Sequence, residues 1–116
     1  MAFTENEVAE YATVIEEHFW AHRRPPLRLR EQIREGQRFS DQSIELFFVR
    51  PVFRMPGKWV EEPIAKIKLI RNRKVWQLFW KRADNKWHRY PPKPEVKTLA
   101  AALKIIHEDA HHCFFG

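Results

Sequence analysis

Residues 74–90, KVWQLFWKRADNKWHRY, contain three of the five tryptophans in the chain and one of its two tyrosines. Aromatic and β-branched residues stand on both sides of residues 83–86, which favours two short strands. Asp84 and Asn85 lie between these strands, and both residue types favour turns because their side chains bond the nearby backbone. The stretch therefore predicts a β-hairpin.

A second hairpin, centred on Asn72 and Arg73, precedes this stretch. Its predicted core face pairs apolar side chains only: Leu69 with Trp76, Ile67 with Leu78, and Ala65 with Trp80. The pairs on its reverse face are Ile70 with Val75, Lys68 with Gln77, and Lys66 with Phe79. A shift of one residue would destroy this sorting of apolar and polar side chains, so the pattern predicts the register of the two strands.

The same alternation, continued through the turn, pairs Lys81 with His88 and Phe79 with Tyr90. Residues 66–89 contain nine Lys or Arg and one acidic residue. The sheet face turned away from the core is therefore predicted to be basic and aromatic, with six candidate binding residues: Lys66, Lys68, Phe79, Lys81, His88 and Tyr90.

Cations beside exposed rings are typical of surfaces that hold single-stranded nucleic acid, because the cations follow the phosphates while the rings stack on bases. An acidic protein surface is a second partner that this charge favours. The alternative is that Phe79 and Tyr90 form a cross-strand pair beneath a loop, a helix or a second copy of the chain.

Helical patterns occur at both ends of the chain. Thr4 and Glu7 have the spacing of a capping box, and the helix after them should end near Arg23, before two consecutive prolines. A second apolar stripe at helical spacing follows the PPKP segment at residues 91–94. Residues 27–35 predict a further short helix that ends at the following glycine.

The central part of the chain alternates as extended structure does, so the sequence predicts an α+β fold. We expect an antiparallel sheet of about five strands, arranged as a meander of hairpins and flanked by an N-terminal and a C-terminal helix. Residues 1–116 should form a single domain. Phe114 and Phe115 should dock on it, because two adjacent phenylalanines would otherwise be exposed to water.

Composition favours a cytoplasmic protein. A chain with 44% hydrophobic and 31% charged residues has the balance of a globular domain. The one cysteine cannot form an internal disulfide, which favours a reducing compartment, and neither a signal peptide nor a membrane span is evident. The net charge is +6, although residues 1–22 carry five Glu and no Lys or Arg. This asymmetry predicts an acidic helix beside a basic body, and the arginines of residues 23–38 could pair with that helix or extend the basic surface.

The stretch WQLFWKRADNKWHRYPPKPEV at residues 76–96 and the ending HCFFG at residues 112–116 resemble a family of small bacterial proteins that is classed as a domain of unknown function. The RRPP segment at residues 23–26 adds to the resemblance, and WHRY and CFFG are its most specific parts. The resemblance implies a bacterial source and a single-domain protein. It implies no activity, so no catalytic residue is transferred from it.

Histidines suggest a metal site as a further hypothesis. His18 and His22 are four residues apart on the first predicted helix, and His107 and His111 repeat that spacing on the last. Four ligands would meet only if the two terminal helices lay side by side. Such pairs also arise by chance on helices, so the sequence predicts no cofactor and no bound metal.

No catalytic signature is evident: the three glycines form no phosphate-binding loop, and there is no Gly-x-Ser-x-Gly elbow. The sequence therefore predicts a binding module that is not an enzyme and that holds nucleic acid or another polyanion on the basic face. The alternative is a self-associating scaffold or partner subunit, because the apolar run at residues 44–49, together with Trp59 and the terminal phenylalanines, offers more apolar surface than two helices cover.

Overall fold

The N-terminal helix begins where its sequence predicts. In the computed structural model, which describes residues 2–29 and 32–115, the Thr4 hydroxyl accepts a hydrogen bond from the Glu7 amide at 3.1 Å. The Glu7 carboxylate accepts one from the Thr4 amide at 2.9 Å. Helix α1 spans Glu5–Ile15, a π-helical turn continues it over Glu16–Trp20, and α2 covers Ala21–Arg23. The capping box and the end of the helix before the prolines are thus confirmed.

The segment after the prolines differs from its prediction. A 3₁₀ turn covers Leu27–Leu29, and β1 is already formed over Arg34–Ser40. The predicted helix at residues 27–35 is therefore wrong at its C-terminal end, while Arg30 and Glu31 lie outside the described residues. Pairing of β1 with the next strand outweighs the weak local preference for helix.

The remaining strands form the predicted antiparallel sheet. They are β2 (Ser43–Pro51), β3 (Trp59–Ile70), β4 (Val75–Lys81), β5 (Trp87–Arg89) and β6 (Glu95–Val96). The order is β1-β2-β3-β4-β5, and the short β6 also pairs with β4, so the sheet contains one strand more than the five expected. Helix α3, Leu99–Glu108, follows, and the α+β meander flanked by terminal helices is confirmed.

The register predicted for β3 and β4 is correct. Five ladder pairs match the prediction: Ile70 with Val75, Leu69 with Trp76, Lys68 with Gln77, Ile67 with Leu78, and Lys66 with Phe79. The sixth predicted pair, Ala65 with Trp80, lies just beyond the last ladder pair. The apolar side chains of this hairpin face the helices, which leaves the lysines on the other face.

The register predicted for β4 and β5 is wrong by one residue. Lys81 pairs with Trp87, and Phe79 pairs with Arg89, instead of with His88 and Tyr90. The loop between the strands has an odd number of residues, and Asn85 closes it in the left-handed conformation with φ 64°. An odd loop moves the pairing by one position, so every side chain of β5 lies on the face opposite to the one predicted.

One cluster of buried side chains lies between the sheet and the helices. The sheet contributes Ile44, Leu46, Ile67, Leu69, Trp76 and Leu78, among others. The helices contribute Ile15, Phe19, Trp20, Leu99, Ala102, Leu103 and Ile106. The described residues therefore form two layers, in which the helices cover one face of the sheet. None of the helices in the described part of the chain is long and apolar enough to cross a bilayer.

The C-terminal segment docks on this core, as predicted. Phe114 is buried, and the Phe115 ring stacks 6.3 Å from the Phe19 ring. Asp109 ends α3 with φ 44°, and its two carboxylate oxygens accept hydrogen bonds from the Phe114 amide at 3.0 Å and the Phe115 amide at 2.9 Å. A buried carboxylate thus orients the segment, and no sequence pattern indicated that role.

Glu7 also contacts the sheet. The two terminal nitrogens of Arg71, at the end of the β3–β4 hairpin, donate to its two carboxylate oxygens at 2.9 Å each. The bonds from Arg71, followed by the bond from the Thr4 amide, lower the pKa of Glu7 from an ordinary 4.5 to about 2. Because the folded-state pKa is the lower one, this contribution to stability is complete above about pH 4.5 and is lost as the pH falls through about 2.

We therefore expect Glu7→Gln to lower the melting temperature at neutral pH. Glutamine retains an oxygen for the Thr4 amide but loses the charge that Arg71 contacts. The difference from the wild-type protein should shrink below about pH 4.5 and disappear near pH 2. Thermal melts followed by circular dichroism over this pH range provide the measurement. A difference that does not vary with pH would contradict the assignment.

Candidate nucleic-acid interface

The sheet face opposite the helices carries a set of lysines and rings, which we call the basic sheet face. Its members are Lys66, Lys68, Phe79, Lys81, Trp87 and Arg89. The alternation of strands β3 to β5 places all six on one side of the sheet. Four of them are residues that the sequence predicted, and Trp87 and Arg89 replace His88 and Tyr90 because of the one-residue shift in β5.

Each aromatic ring of the basic sheet face lies close to a lysine. The Lys66 ammonium is 5.9 Å from the centre of the Phe79 ring, and the Lys81 ammonium is 5.3 Å from the Trp87 ring. Both rings and both lysines are half-buried. Within residues 2–29 and 32–115, no carboxylate lies within ion-pair distance of Lys66, Lys68 or Lys81. These three lysines are therefore outside the ion pairs of the described residues, although Glu45, the β2 partner of Lys66, lies on the same face and is paired with Arg38.

Arginines at the borders of this face are paired with acids. Arg38 of β1 contacts Glu61 and also Glu45, the latter at 3.2 Å, and these two carboxylates raise its pKa. At the other border, Arg73 and Arg89 both contact Glu95, at 3.0 and 3.3 Å. The hydrogen bond from Arg73 is the main cause of the lowered pKa of Glu95. The charge that remains for a partner is therefore concentrated on the lysines.

A third ring, Phe47 of β2, lies on the same side of the sheet. A bulge between Leu46 and Phe47 pairs Leu46 with Ala65 and Phe47 with Pro63, so Ile64 is the extra residue. The Arg38 guanidinium is 4.9 Å from the Phe47 ring. Gly36, the β1 partner of Phe47, lies beneath the ring, and a Cβ at that position would overlap it. Phe47 is consequently well covered and contributes little accessible surface.

Tyr90 does not belong to this face, contrary to the prediction. Its side chain is only 2% exposed, and its ring is 4.8 Å from the Phe114 ring in the core. Burial raises the pKa of its hydroxyl. The predicted couple of Phe79 and Tyr90 therefore does not exist, because the shifted register turns Tyr90 toward the helices.

His88 also lies on the helix side of the sheet, where it pairs with Trp80. Its Nε2 atom is 2.8 Å from Asp84 in the turn, and this hydrogen bond, followed by the one from the Lys86 amide, lowers the pKa of Asp84. The prediction that His88 faces outward with Lys81 is wrong for the same reason as for Tyr90. No sequence signal separates the two registers, because the length of the loop is set by the backbone conformation of Asn85.

A comparison with protein families gives one finding. A family model described as a domain of unknown function, DUF3024, matches residues 3–116. The chain belongs to the DUF3024 family. No curated protein and no solved structure is similar enough to count as a match. The predicted resemblance to a family of unknown function is confirmed, and membership brings no activity with it.

Three of the four histidines considered for metal binding come together in this DUF3024 protein. His18, His22 and His107 line one groove of about 440 Å³, with the His22 and His107 rings 5.7 Å apart. His111 lies elsewhere, 6.4 Å from the Tyr90 ring. Among the residues that the structure describes, no three His, Cys, Asp or Glu side chains are grouped closely enough to hold a metal ion.

Proposed function

We propose that this DUF3024 protein is a binding module without enzymatic activity that holds single-stranded nucleic acid on the basic sheet face. The observation that carries the proposal is the repeated pairing of a lysine with a ring, Lys66 with Phe79 and Lys81 with Trp87. A nucleotide has the complementary pair, a phosphate and a base. Two neighbouring nucleotides would therefore satisfy both pairs, whatever their sequence.

The geometry favours a single strand over a duplex. Stacking requires unpaired bases that expose a face, and each stacked base contributes about 1–3 kcal/mol to binding. The rings lie on a broad sheet, not on a helix or ribbon of the kind that enters a DNA groove. Lys68, one alternation along β3 from Lys66, would contact the next phosphate. Phosphate contacts make the affinity fall steeply with salt.

The test is a titration of a labelled oligo-thymidine of about twelve nucleotides, a length within the range that such surfaces bind. We expect Phe79→Ala and Trp87→Ala each to weaken binding about tenfold, because each removes one stacking ring. Fluorescence anisotropy of the labelled oligonucleotide gives the dissociation constants.

Two variants serve as matched controls. Tyr90→Phe alters a buried ring and Lys97→Ala removes a cation on the helix side, so neither should change the affinity. The proposal would be wrong if the wild-type protein did not bind the oligonucleotide at low salt. It would also be wrong if the wild-type protein, the two ring variants and the two controls all had the same affinity.

Self-association is a second candidate function, and the β2–β3 hairpin favours it. At its tip Phe53 is 82% exposed, and Met55, Trp59 and Val60 are exposed beside it. A second copy of the chain is the occupant that we propose for this tip, since two such tips in a symmetric pair would bury their rings and keep Arg54 at the rim. Light scattering at micromolar protein concentration measures the mass in solution, and the mass of a monomer would rule out self-association.

A further inference from the structure

The groove between the π-helical turn and α3 is lined by basic groups. Its polar side chains are those of His18, His22, His107 and Lys104, and its floor is formed by Ala100 and Ala101. Among the residues that the structure describes, no carboxylate belongs to this lining; Glu108 lies outside it, 3.9 Å from the Lys104 ammonium. The groove is on the helix side of the sheet, so it is separate from the basic sheet face.

Arg23 determines which nitrogen of His107 carries the proton. Its Nε donates to His107 Nδ1 at 3.0 Å, and its terminal Nη2 donates to the His107 carbonyl at 2.7 Å. A guanidinium can only donate, so Nδ1 must be the acceptor and the neutral ring carries its hydrogen on Nε2. Burial, followed by the charge of Arg23 and the neighbouring His22, lowers the pKa of His107. The ring therefore remains a neutral N–H donor at neutral pH.

Arg23 is itself fixed in position. Its guanidinium stacks on the Phe115 ring, with the central carbon 3.7 Å from the ring centre. Phe115 is held in turn by the carboxylate of Asp109. The C-terminal segment thus orients Arg23, and Arg23 orients His107. The donor on His107 is preorganised by contacts that do not depend on a ligand.

This arrangement is the reverse of a metal site. A histidine that binds a metal uses a lone pair on the metal and donates its other N–H to an oxygen acceptor. The Nδ1 lone pair of His107 is already used by a cation, and Lys104 adds positive charge to the same groove. N–H donors with positive charge around them are the groups that recognise an oxyanion.

We propose that the groove binds a small tetrahedral oxyanion, such as the phosphate group of a small metabolite, through His22, Lys104 and the Nε2–H of His107. Arg23 positions His107 and does not contact the ligand. The alanines of α3 leave space for the rest of such a ligand in a groove of about 440 Å³.

The test uses inorganic sulfate, which retains its double charge over the pH range in which imidazoles titrate. Long-range ¹H–¹⁵N spectra of the histidine side chains report the hydrogen position on each ring, and ionic strength is held constant with chloride. We expect His107 to show Nε2–H in the absence of sulfate. The resonances of His22 and His107 should then shift saturably, and His111 should not respond.

Lys104→Ala is the decisive variant, because this exposed side chain can be removed without disturbing the core. It should weaken sulfate binding about fivefold, the effect of losing one solvent-exposed ionic contact, while Lys97→Ala should leave it unchanged. Shifts that do not saturate, or that involve all six histidines equally, would overturn the proposal. Stoichiometric binding of Zn²⁺ by His22 and His107 would overturn it in favour of a cation site. Oligonucleotide binding by the basic sheet face is measured separately and does not depend on this result.

Discussion

Asp109→Ala should lower the free energy of unfolding by about 3 kcal/mol. The carboxylate is 6% exposed and accepts hydrogen bonds from the Phe114 and Phe115 amides at 3.0 and 2.9 Å. Alanine would leave both amide groups without an acceptor, and each buried unsatisfied donor costs about 1–3 kcal/mol. Alanine is also less tolerant than Asp of the left-handed conformation, φ 44°, at this position. The two effects act in the same direction.

Urea unfolding followed by tryptophan fluorescence measures this change. Asp109→Asn is the matched control, because asparagine accepts the left-handed conformation and keeps one oxygen acceptor. It should lose about half of what the alanine variant loses. The variant proteins should expose Phe114 and Phe115, so increased binding of a hydrophobic dye would accompany the loss. An alanine variant within about 0.5 kcal/mol of the wild-type protein would contradict the role assigned to this carboxylate.

The double substitution Lys66→Glu and Lys81→Glu should weaken oligonucleotide binding at low salt by about 100-fold or more. Each lysine lies beside one ring of the basic sheet face, and no carboxylate of the described chain lies within ion-pair distance of either. Loss of one phosphate contact is expected to cost about tenfold, and reversed charges add repulsion. The salt dependence should change as well. For a single strand, two lost contacts lower the slope of log K against log salt by about 1.4.

The neutral double variant, Lys66→Gln with Lys81→Gln, distinguishes the affinity lost with the phosphate contacts from the affinity lost through repulsion by the new carboxylates. It should show the same reduced slope but a smaller loss of affinity at low salt. The glutamine variant should retain the wild-type unfolding curve, because neither lysine takes part in an ion pair within residues 2–29 and 32–115. Glutamate at position 66 would lie opposite Glu45, so the glutamate variant should be somewhat less stable. Wild-type affinity and slope in the glutamate variant would show that the lysines do not contact the oligonucleotide.

The β3–β4 hairpin could be predicted from the sequence because its alternation allows one register only. A shift by one residue would place Lys66 and Lys68 in the core and Ile67 in water. Ladder pairs such as Ile67 with Leu78 therefore follow from the pattern of residues. The same argument predicted the layer of helices, since one face of this hairpin had to be covered.

The β4–β5 hairpin could not be predicted in the same way. Strand β5 has only three residues, Trp87–Arg89, and both tryptophan and tyrosine tolerate either face of a sheet. Two registers therefore sort these side chains almost equally well. The loop decides between them through the backbone of Asn85, and its φ of 64° is not specified by composition. Because this angle could not be predicted, the register was predicted one residue out. The basic sheet face therefore contains Trp87 and Arg89 in place of His88 and Tyr90.

Long-range contacts account for the other differences. Arg23 and His107 are separated by 84 residues, so no local spacing predicts the bond between them. The π-helical turn over Glu16–Trp20 was also not predicted, since Ile15 and Phe19 are four residues apart and fit either helix type. Asp109 gave no signal, because glycine or asparagine is the usual residue where a helix ends in this conformation.

The fit of Phe47 over Gly36 has a consequence for how the family diverges. A methyl group at position 36 and a phenyl ring at position 47 cannot occupy the same space. Lineages in which one of these two sites changes are therefore expected to change the other, with a larger residue at 36 accompanied by a smaller one at 47. Correlated substitution at positions 36 and 47 would therefore reveal, from family sequences alone, that the Phe47 ring packs against the backbone of β1.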